Sequence, residues 1–404
     1  MERPAPPPPS PIVLQDDRPV RLVRPRAERP LGLYDFTLPE LIAKLEAMGQ
    51  PAYRARQLYT WLYQRLAASY DEMTSLPAAL RVELMDTLPL TTLTHVRDRT
   101  ADADQTMKTL YRTGDGELVE TVLMLYADRA TVCVSCQVGC AVGCAFCATG
   151  LGGLARNLSA GEMAAQVVGA ARQARAVGRP LTNVVMMGMG EPFQNYAATM
   201  KFVGIINDAA GLNLGARRIT ISTSGVVPRI DALAGEPYQV NLAVSLHAPT
   251  DELRDQLVPL NKRYPIADLM AACERYVART HRRISFEYAL MRGINDSDEV
   301  ARQLGNLLRG LQMRCHVNLI PLNPVDVLPY ERPDPAAIER FAVTLRQAGI
   351  ATTVRYSRGV EIGAACGQLR AREQPLANGS AVQTATSDAA APHGASTPAA
   401  VAGK

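Results

Sequence analysis

The sequence has no run of ~18 apolar residues, so no segment is expected to cross a membrane as a helix. Its first residues, MERPAPPPPSP, lack the apolar stretch of a signal peptide, which leaves the cytoplasm as the expected location. Neither sign of charge is in large excess: 43 Lys and Arg against 39 Asp and Glu give a net charge of +4. That balance does not by itself predict a nucleic-acid partner. Residues 1–34 lack a hydrophobic period and are rich in Pro and Arg, as expected of a disordered arm. Residues 373–404 lack large apolar side chains almost entirely and read as a disordered tail.

Between these ends lies folded protein. A chain of 404 residues exceeds the usual single-core limit of roughly 250–300, so one large domain with a smaller companion is expected. Thr37-Leu-Pro-Glu40 is a capping box whose helix should stop at Gly49. RARQLYTWLYQRL (54–66) and TSLPAALRVELMDTL (74–88) carry helical spacing, giving a small helical domain over 35–90. Residues 91–128 read as a β-rich connector. Over 129–372 seven strand-like segments, starting at RATVCVS (129–135) and ending at TTVRYS (352–357), alternate with helical patterns at about the length of a βα unit. The expected fold is α/β: a partial (β/α) barrel behind a small N-terminal helical domain. In such a barrel, chemistry gathers at the C-terminal ends of the strands.

Eight cysteines are too many to ignore in a chain expected to sit in a reducing compartment, and five of them fall between Cys133 and Cys147. Cys140, Cys144 and Cys147 form C-x-x-x-C-x-x-C. Three thiolates in one loop can ligate three irons of a [4Fe–4S] cluster and leave the fourth iron for a substrate. A zinc site built from Cys133, Cys136, Cys144 and Cys147 is the rival, but it has a short gap between its pairs and leaves Cys140 unexplained. The three-cysteine spacing after the first barrel strand resembles the signature of the radical S-adenosylmethionine superfamily. That resemblance implies one [4Fe–4S] cluster per chain and S-adenosylmethionine as cofactor. Gly190 and Glu191 in Gly188-Met189-Gly190-Glu191-Pro192 then become candidates for the methionine amine. Ser222, Ser245, Leu246, His247 and Asn323, at later strand ends, become candidates for the rest of the cofactor. Each could equally cap a following helix.

The match narrows further. QVGCAVGCAFCATG, ARNL, GMGEP, STSGVVPRI, LAVSLHAP, LVPLNKRYP, FEYALMRGIND, NLIPLNP and GAACGQL, together with RQLYTWLY and MTSLPAALR, resemble the RlmN family of dual-specificity adenine methyltransferases. The resemblance implies methylation of carbon 2 of an adenine in 23S rRNA and in tRNA, by a monomer fed by an external electron donor such as flavodoxin. Two cofactor molecules are consumed per methylation. Cys366 is implied as the thiol that first takes the methyl group. Cys133 is implied as the resolving thiol that releases the product by forming a disulfide. Cys133 or Glu120 could remove the ring proton. Two positions depart from the family: Cys136 stands where serine is expected, and Glu361 where aspartate is usual. Cys136 reads as inert, although it could intercept the disulfide.

Arg156 and the pairs Arg217-Arg218, Lys262-Arg263 and Arg282-Arg283 are candidates for RNA phosphates, as is the 35–90 domain with Arg54, Arg56, Arg65 and Arg81. A related methyltransferase acting on adenine carbon 8 and a non-enzymatic, metal-stabilised RNA-binding module are the alternatives.

Overall fold

The computed structural model describes residues 31–309 and 315–370. The expected arm up to residue 30 and the expected tail at 373–404 lie outside the described residues.

Helix α1 (Leu38–Ala47) begins at the capping box read from the sequence. The Thr37 N–H donates to Glu40 Oε2 at 2.8 Å, and the Glu40 N–H donates back to Thr37 Oγ1 at 3.4 Å. It ends before Gly49, whose φ of 73° suits a left-handed exit. Helix α2 (Ala52–Tyr59) runs into a wider π turn, Thr60–Arg65, and α3 (Ala78–Thr87) follows. Leu41, Leu45, Leu58, Leu62, Leu80 and Leu84 are buried together. At about 1.5–3 kcal/mol for each fully buried side chain, these contacts and not intrinsic propensity hold such short helices.

The helices rest on the barrel through a cation. Arg172 of α4 (Ala160–Ala176) donates from Nε to the Leu66 carbonyl at 2.7 Å and from Nη2 to the Tyr34 hydroxyl at 3.1 Å. Asp35 accepts the Gly161 N–H at 2.8 Å.

Strands β1 (Leu93–Ala101), β2 (Thr106–Thr113) and β3 (Leu118–Leu125) form an antiparallel meander, and β3 pairs antiparallel with β4 (Ala130–Cys133). The segment read as a connector is therefore continuous with the barrel sheet. Its edge carbonyls and amides are satisfied by β4 rather than by a separate layer.

A short hairpin, β5 (Gln137–Gly139) and β6 (Leu154–Asn157), then brackets the three-cysteine loop. Strands this short carry no readable alternation. Gly139 makes the hairpin possible, because a Cβ there would meet the Gly153 carbonyl oxygen at 2.0 Å.

From β4 onward the sheet is parallel: β7 (Asn183–Met186), β8 (Ile219–Thr223), β9 (Asn241–Ser245), β10 (Ile284–Leu290), β11 (Cys315–Pro321) and β12 (Thr352–Val354). Parallel neighbours need crossovers. These are α4, α5 (Tyr196–Asn207), α6 (Val227–Leu233), α7 (Asp251–Leu257) with α8 (Ile266–Thr280), α9 (Asp298–Arg309) and α10 (Pro335–Gln347). The sheet runs in order from β1 to β12 without closing, so the barrel is partial.

Its faces follow the period of two. Ile219 and Ile221 are buried in the core, while Thr220 and Ser222 face the interior half-buried. Among the described residues no helix is long and apolar enough to cross a membrane.

Candidate active site

Cys140, Cys144 and Cys147 stand half-buried on an apolar bed that includes Val142, Phe146, Leu257, Val258 and Met291. The bed is separate from the main core. Their loop is held by its own backbone: Cys140 N–H donates to Gly153 O at 2.9 Å, Ala145 N–H to Leu257 O at 3.0 Å, and Cys147 N–H to Cys144 O at 3.1 Å. Burial pushes the Cys140 thiol up to about 12 and Cys144 well above its usual range, and the neighbouring thiols raise both further. Metal coordination ionises such thiols outright.

Cys133 and Cys136 pack instead in the main core, and among the described residues no group of three or more His, Cys, Asp or Glu converges on one metal ion, as the rival zinc site requires. Cys140, Cys144 and Cys147, three half-buried free thiols of one loop on one apolar bed, are the donor set that a [4Fe–4S] cluster with one open position takes.

The strand ends surround this loop. Glu191 follows β7 and is buried, with burial raising its carboxyl above the usual range. Its Oε2 accepts the Ser224 N–H at 2.7 Å and its Oε1 the Phe193 N–H at 3.0 Å. Gly190 has φ 105° and lies so close to Gln137 that a Cβ would meet that side chain at 2.5 Å. Ser222 and Ser245 on adjacent strands place their hydroxyl oxygens 3.4 Å apart.

His247 adopts φ 61°, accepts the Ala289 N–H on Nδ1 at 2.9 Å, and meets the Phe146 ring edge-on at 4.8 Å. Burial, helped by the charge of Arg254, lowers its imidazole to about 3, so it is neutral. Leu246 is wholly buried in the core and its backbone is committed, the N–H donating to Glu287 O at 3.0 Å and the carbonyl accepting Arg254 Nε at 3.0 Å, so the expectation that it meets the cofactor is corrected. Asn323 donates from Nδ2 to Ser357 Oγ at 2.8 Å and to the Cys366 carbonyl at 3.2 Å.

Cys366 is exposed, on a segment pinned at both sides. Ala148 N–H donates to Gly367 O at 2.8 Å, and Thr149 Oγ1 donates to Leu369 O at 2.6 Å, which ties the segment to the cysteine loop. Glu120 of β3 accepts the Arg370 N–H on Oε2 at 3.0 Å and pairs through Oε1 with Lys108 at 2.9 Å. Lys108 also donates to the Gly363 carbonyl at 3.2 Å.

Cys133 ends β4 in register with Val185 of β7, on a sheet row that continues through Thr220 to Asn241. Burial pushes its thiol up to about 12, and Cys366 is the neighbour that adds most to this. Limited hydration raises Cys366 as well; Arg355 opposes the shift, and Glu287 and Cys147 add to it. Two thiols far apart in sequence thus come within electrostatic reach of one another, beside the loop that carries Cys147.

The radical SAM superfamily model matches residues 134–304, and the ribosomal RNA large subunit methyltransferase N-terminal domain model matches residues 31–89. A probable dual-specificity RNA methyltransferase RlmN of Chloroflexus aurantiacus is 51% identical over 349 residues, covering 84% of this chain and 93% of the relative. The protein of that name from Bacillus subtilis is 46% identical over 349 residues, covering 86% and 95%. The crystal structure of a radical SAM methyltransferase from Sphaerobacter thermophilus is 64% identical, with a TM-score of 0.83 over 84% of this chain and 99% of that one.

The chain belongs to the RlmN family of radical S-adenosylmethionine RNA methyltransferases. Membership removes the non-enzymatic reading.

Within the RlmN framework several expectations need correcting. Arg156 is committed: Nη1 and Nη2 grip Glu162 at 2.9 and 2.8 Å, and Nη2 also reaches Asp115 at 2.9 Å, so it is not offered to phosphate. Arg217-Arg218 and Arg282-Arg283 precede β8 and β10, at the barrel end opposite the site. Lys262-Arg263 follows α7 and is exposed beside Leu260, which packs against the cysteine loop. Both Cys133 and Cys366 are free thiols, so the implied disulfide is not part of the folded architecture. Cys136 is buried in the main core beside Glu191, which with desolvation holds its thiol well above the usual range.

Three charged residues of the site were missed. Arg355 lies just past β12, pairs with buried Glu287 at 3.4 Å, and opposes the upward shift of both reactive thiols. With Asn318 these two line a cavity of about 470 Å³ that Arg282 and Arg283, just before β10, also line. Arg254 of α7 is fully buried. Charged residues within otherwise apolar strands were the only signal for Glu287 and Arg355.

Proposed function

We propose that this RlmN-family enzyme methylates carbon 2 of an adenine in 23S rRNA and in tRNA, by way of a methyl group carried on Cys366 and a product released by Cys133. The observation that supports this reading most directly is that the Cys366 segment is tied to the cysteine loop, Ala148 N–H donating to Gly367 O at 2.8 Å, with Cys133 within electrostatic reach of Cys366. Bound by Cys140, Cys144 and Cys147, a [4Fe–4S] cluster would supply the electron, taken from an external donor such as flavodoxin, for one-electron cleavage of S-adenosylmethionine. Gly190, Glu191, Ser222, Ser245, His247 and Asn323 would hold that cofactor at the barrel mouth.

The thiols have separate tasks. Cys366 is exposed on a pinned segment, as a thiol must be to take up a methyl group and then meet an adenine unstacked from its RNA. Once the base is joined through that methylene to the Cys366 sulfur, the Cys133 thiolate attacks the sulfur. The sulfur–carbon bond breaks with its electron pair going to the methylene carbon, that carbon takes up a proton to become the methyl group, the methylated base leaves, and a Cys133–Cys366 disulfide remains to be reduced from outside. Arg355 stabilises the thiolate form of each cysteine in turn. Both Glu120 oxygens already accept from other groups, so Glu120 acts in this reading as the anchor of the Cys366 segment, and Cys133 takes the ring proton.

The test is methyl transfer by anaerobically reconstituted protein to RNA lacking the modification, with the methyl located by mass spectrometry. Wild type should give 2-methyladenine. Cys366→Ala should give none, and Cys133→Ala should stall as a covalent protein–RNA adduct. Methylation by Cys366→Ala would sink the mechanism, and a methyl on carbon 8 would sink the regiochemistry. An adduct that forms but is not resolved in Glu120→Gln would reassign the ring proton to Glu120.

A further inference from the structure

Helix α7 carries a cation where charge is costly. Arg254 is 0% exposed, and every hydrogen bond found for it goes to a neutral oxygen. Nε donates to Leu246 O at 3.0 Å, Nη1 to Asn261 Oδ1 at 2.9 Å, and Nη2 to Ser224 O at 2.7 Å and Ser245 O at 3.1 Å. Asp251 and Asp255 act on it through charge without bonding it, and both accept instead from Asn261 Nδ2, at 2.8 and 2.7 Å. A buried charge whose direct bonds all go to dipoles is costly in a low dielectric, and an anion in contact with the site offsets that cost.

Two observations say where that anion belongs. Of the ionisable groups around the guanidinium, Cys144 acts on it most strongly, ahead of either aspartate. The same helix also ends against the cysteine loop, where Leu257 O accepts the Ala145 N–H at 3.0 Å. Burial lowers Arg254 only to about 10, so it keeps its charge at neutral pH. A four-iron cluster on three thiolates is anionic, and reduction adds one more negative charge.

We propose that Arg254 is the fixed counter-charge of the cluster held by Cys140, Cys144 and Cys147, and that its guanidinium fork sets the spacing of the cofactor-facing strand ends at Ser224, Ser245 and Leu246. Arg254 is therefore a positioning residue. It draws β8 and β9 together above α7 and favours the reduced cluster. The assignment rests on the three-cysteine cluster proposed above, and a wild-type protein that binds no [4Fe–4S] cluster would end that reading before this one is tried.

The test compares reconstituted wild type with Arg254→Gln, Arg254→Lys and Asp255→Asn. It reads iron and sulfide content, and then the ratio of reduced to oxidised cluster by electron paramagnetic resonance at a fixed solution potential without S-adenosylmethionine. Arg254→Gln should lower the ratio roughly tenfold, the size expected for loss of one charge at close range in a protein interior. Arg254→Lys keeps the charge and should hold the ratio within about twofold of wild type even where melting shows the fork is lost. Asp255→Asn keeps the acceptor for Asn261 and removes an opposing charge, so it should raise the ratio.

An unchanged ratio in Arg254→Gln, or an equal fall in Arg254→Lys, would overturn the proposal. So would failure of Arg254→Lys to take up iron while melting as wild type. If the Arg254 variants do not fold, Asp255→Asn decides alone, and no change there overturns it.

Discussion

The Ala148 amide donates to the Gly367 carbonyl at 2.8 Å, so Cys147 and Cys366 each stand one residue from a single backbone bond. The loop for the cluster and the segment for the methyl-carrying thiol are therefore one mechanical unit. Thr149 Oγ1, donating to Leu369 O at 2.6 Å, closes that unit.

Thr149→Val should loosen the unit without touching a thiol. The lost hydrogen bond leaves the Leu369 carbonyl short of a partner, worth about 1 kcal/mol. Cofactor cleavage should continue, while methyl transfer per 5′-deoxyadenosine formed falls several-fold. Parallel quantification of both products checks this, and an unchanged ratio would refute the coupling.

The Lys108–Glu120 pair should be among the strongest single contributors to the order of the C-terminal segment. Both side chains are largely buried, at 12% and 7% exposure, and they meet at 2.9 Å. Lys108→Met strands a buried carboxylate at a cost of about 3–5 kcal/mol. Lys108→Met with Glu120→Gln should recover much of it. Denaturant melts of the two variants measure this, and limited proteolysis should cut near Gly363 faster in the single variant.

His247 should make stability fall in mild acid. Its folded value of about 3 lies below the unfolded value of ~6.5, so the neutral form is favoured by folding. That contribution is fully present above pH 6.5 and is lost as the pH drops from 6.5 towards 3. By pH 5 the loss from this residue is about 2 kcal/mol. His247→Asn keeps an acceptor for the Ala289 N–H and tolerates the positive φ, but it cannot take up a proton. Its stability should be flatter between pH 6.5 and 5, as read by denaturant midpoints.

Arg156→Ala should cost stability rather than RNA affinity. Glu162, 3% exposed, would be left without its bidentate partner, at about 3–5 kcal/mol. RNA binding by the folded fraction should match wild type, whereas Lys262→Glu with Arg263→Glu should weaken it and flatten its salt dependence. Filter binding at two ionic strengths separates the two outcomes.

Tyr63→Phe should be neutral or stabilising by up to about 1 kcal/mol, because the Tyr63 hydroxyl is buried with no hydrogen-bond partner. Thermal melting checks this. A clear loss of stability would mean that the hydroxyl is satisfied in solution.

Much of this architecture was written locally. The Thr37–Glu40 cap and the strand segments depend on neighbours within a few residues, and each was legible before any fold was known. The spacing of Cys140, Cys144 and Cys147 also needs only one loop. The hairpin of β5 and β6 was not legible, because three or four residues hold no periodicity and a close approach at Gly139 replaces it.

Residue order carries the inventory: which strands end in polar groups, which thiols share a loop, and where helices start. Packing assigns the company each residue keeps. It set Cys133 beside Cys366, gave Arg156 to Glu162, turned two basic pairs to the far end of the barrel, and buried Arg254 in a helix whose sequence reads as a charged surface. Partners of that kind are fixed by how parallel strands and their crossovers stack, and electrostatic consequences follow from distance and burial rather than from position along the chain.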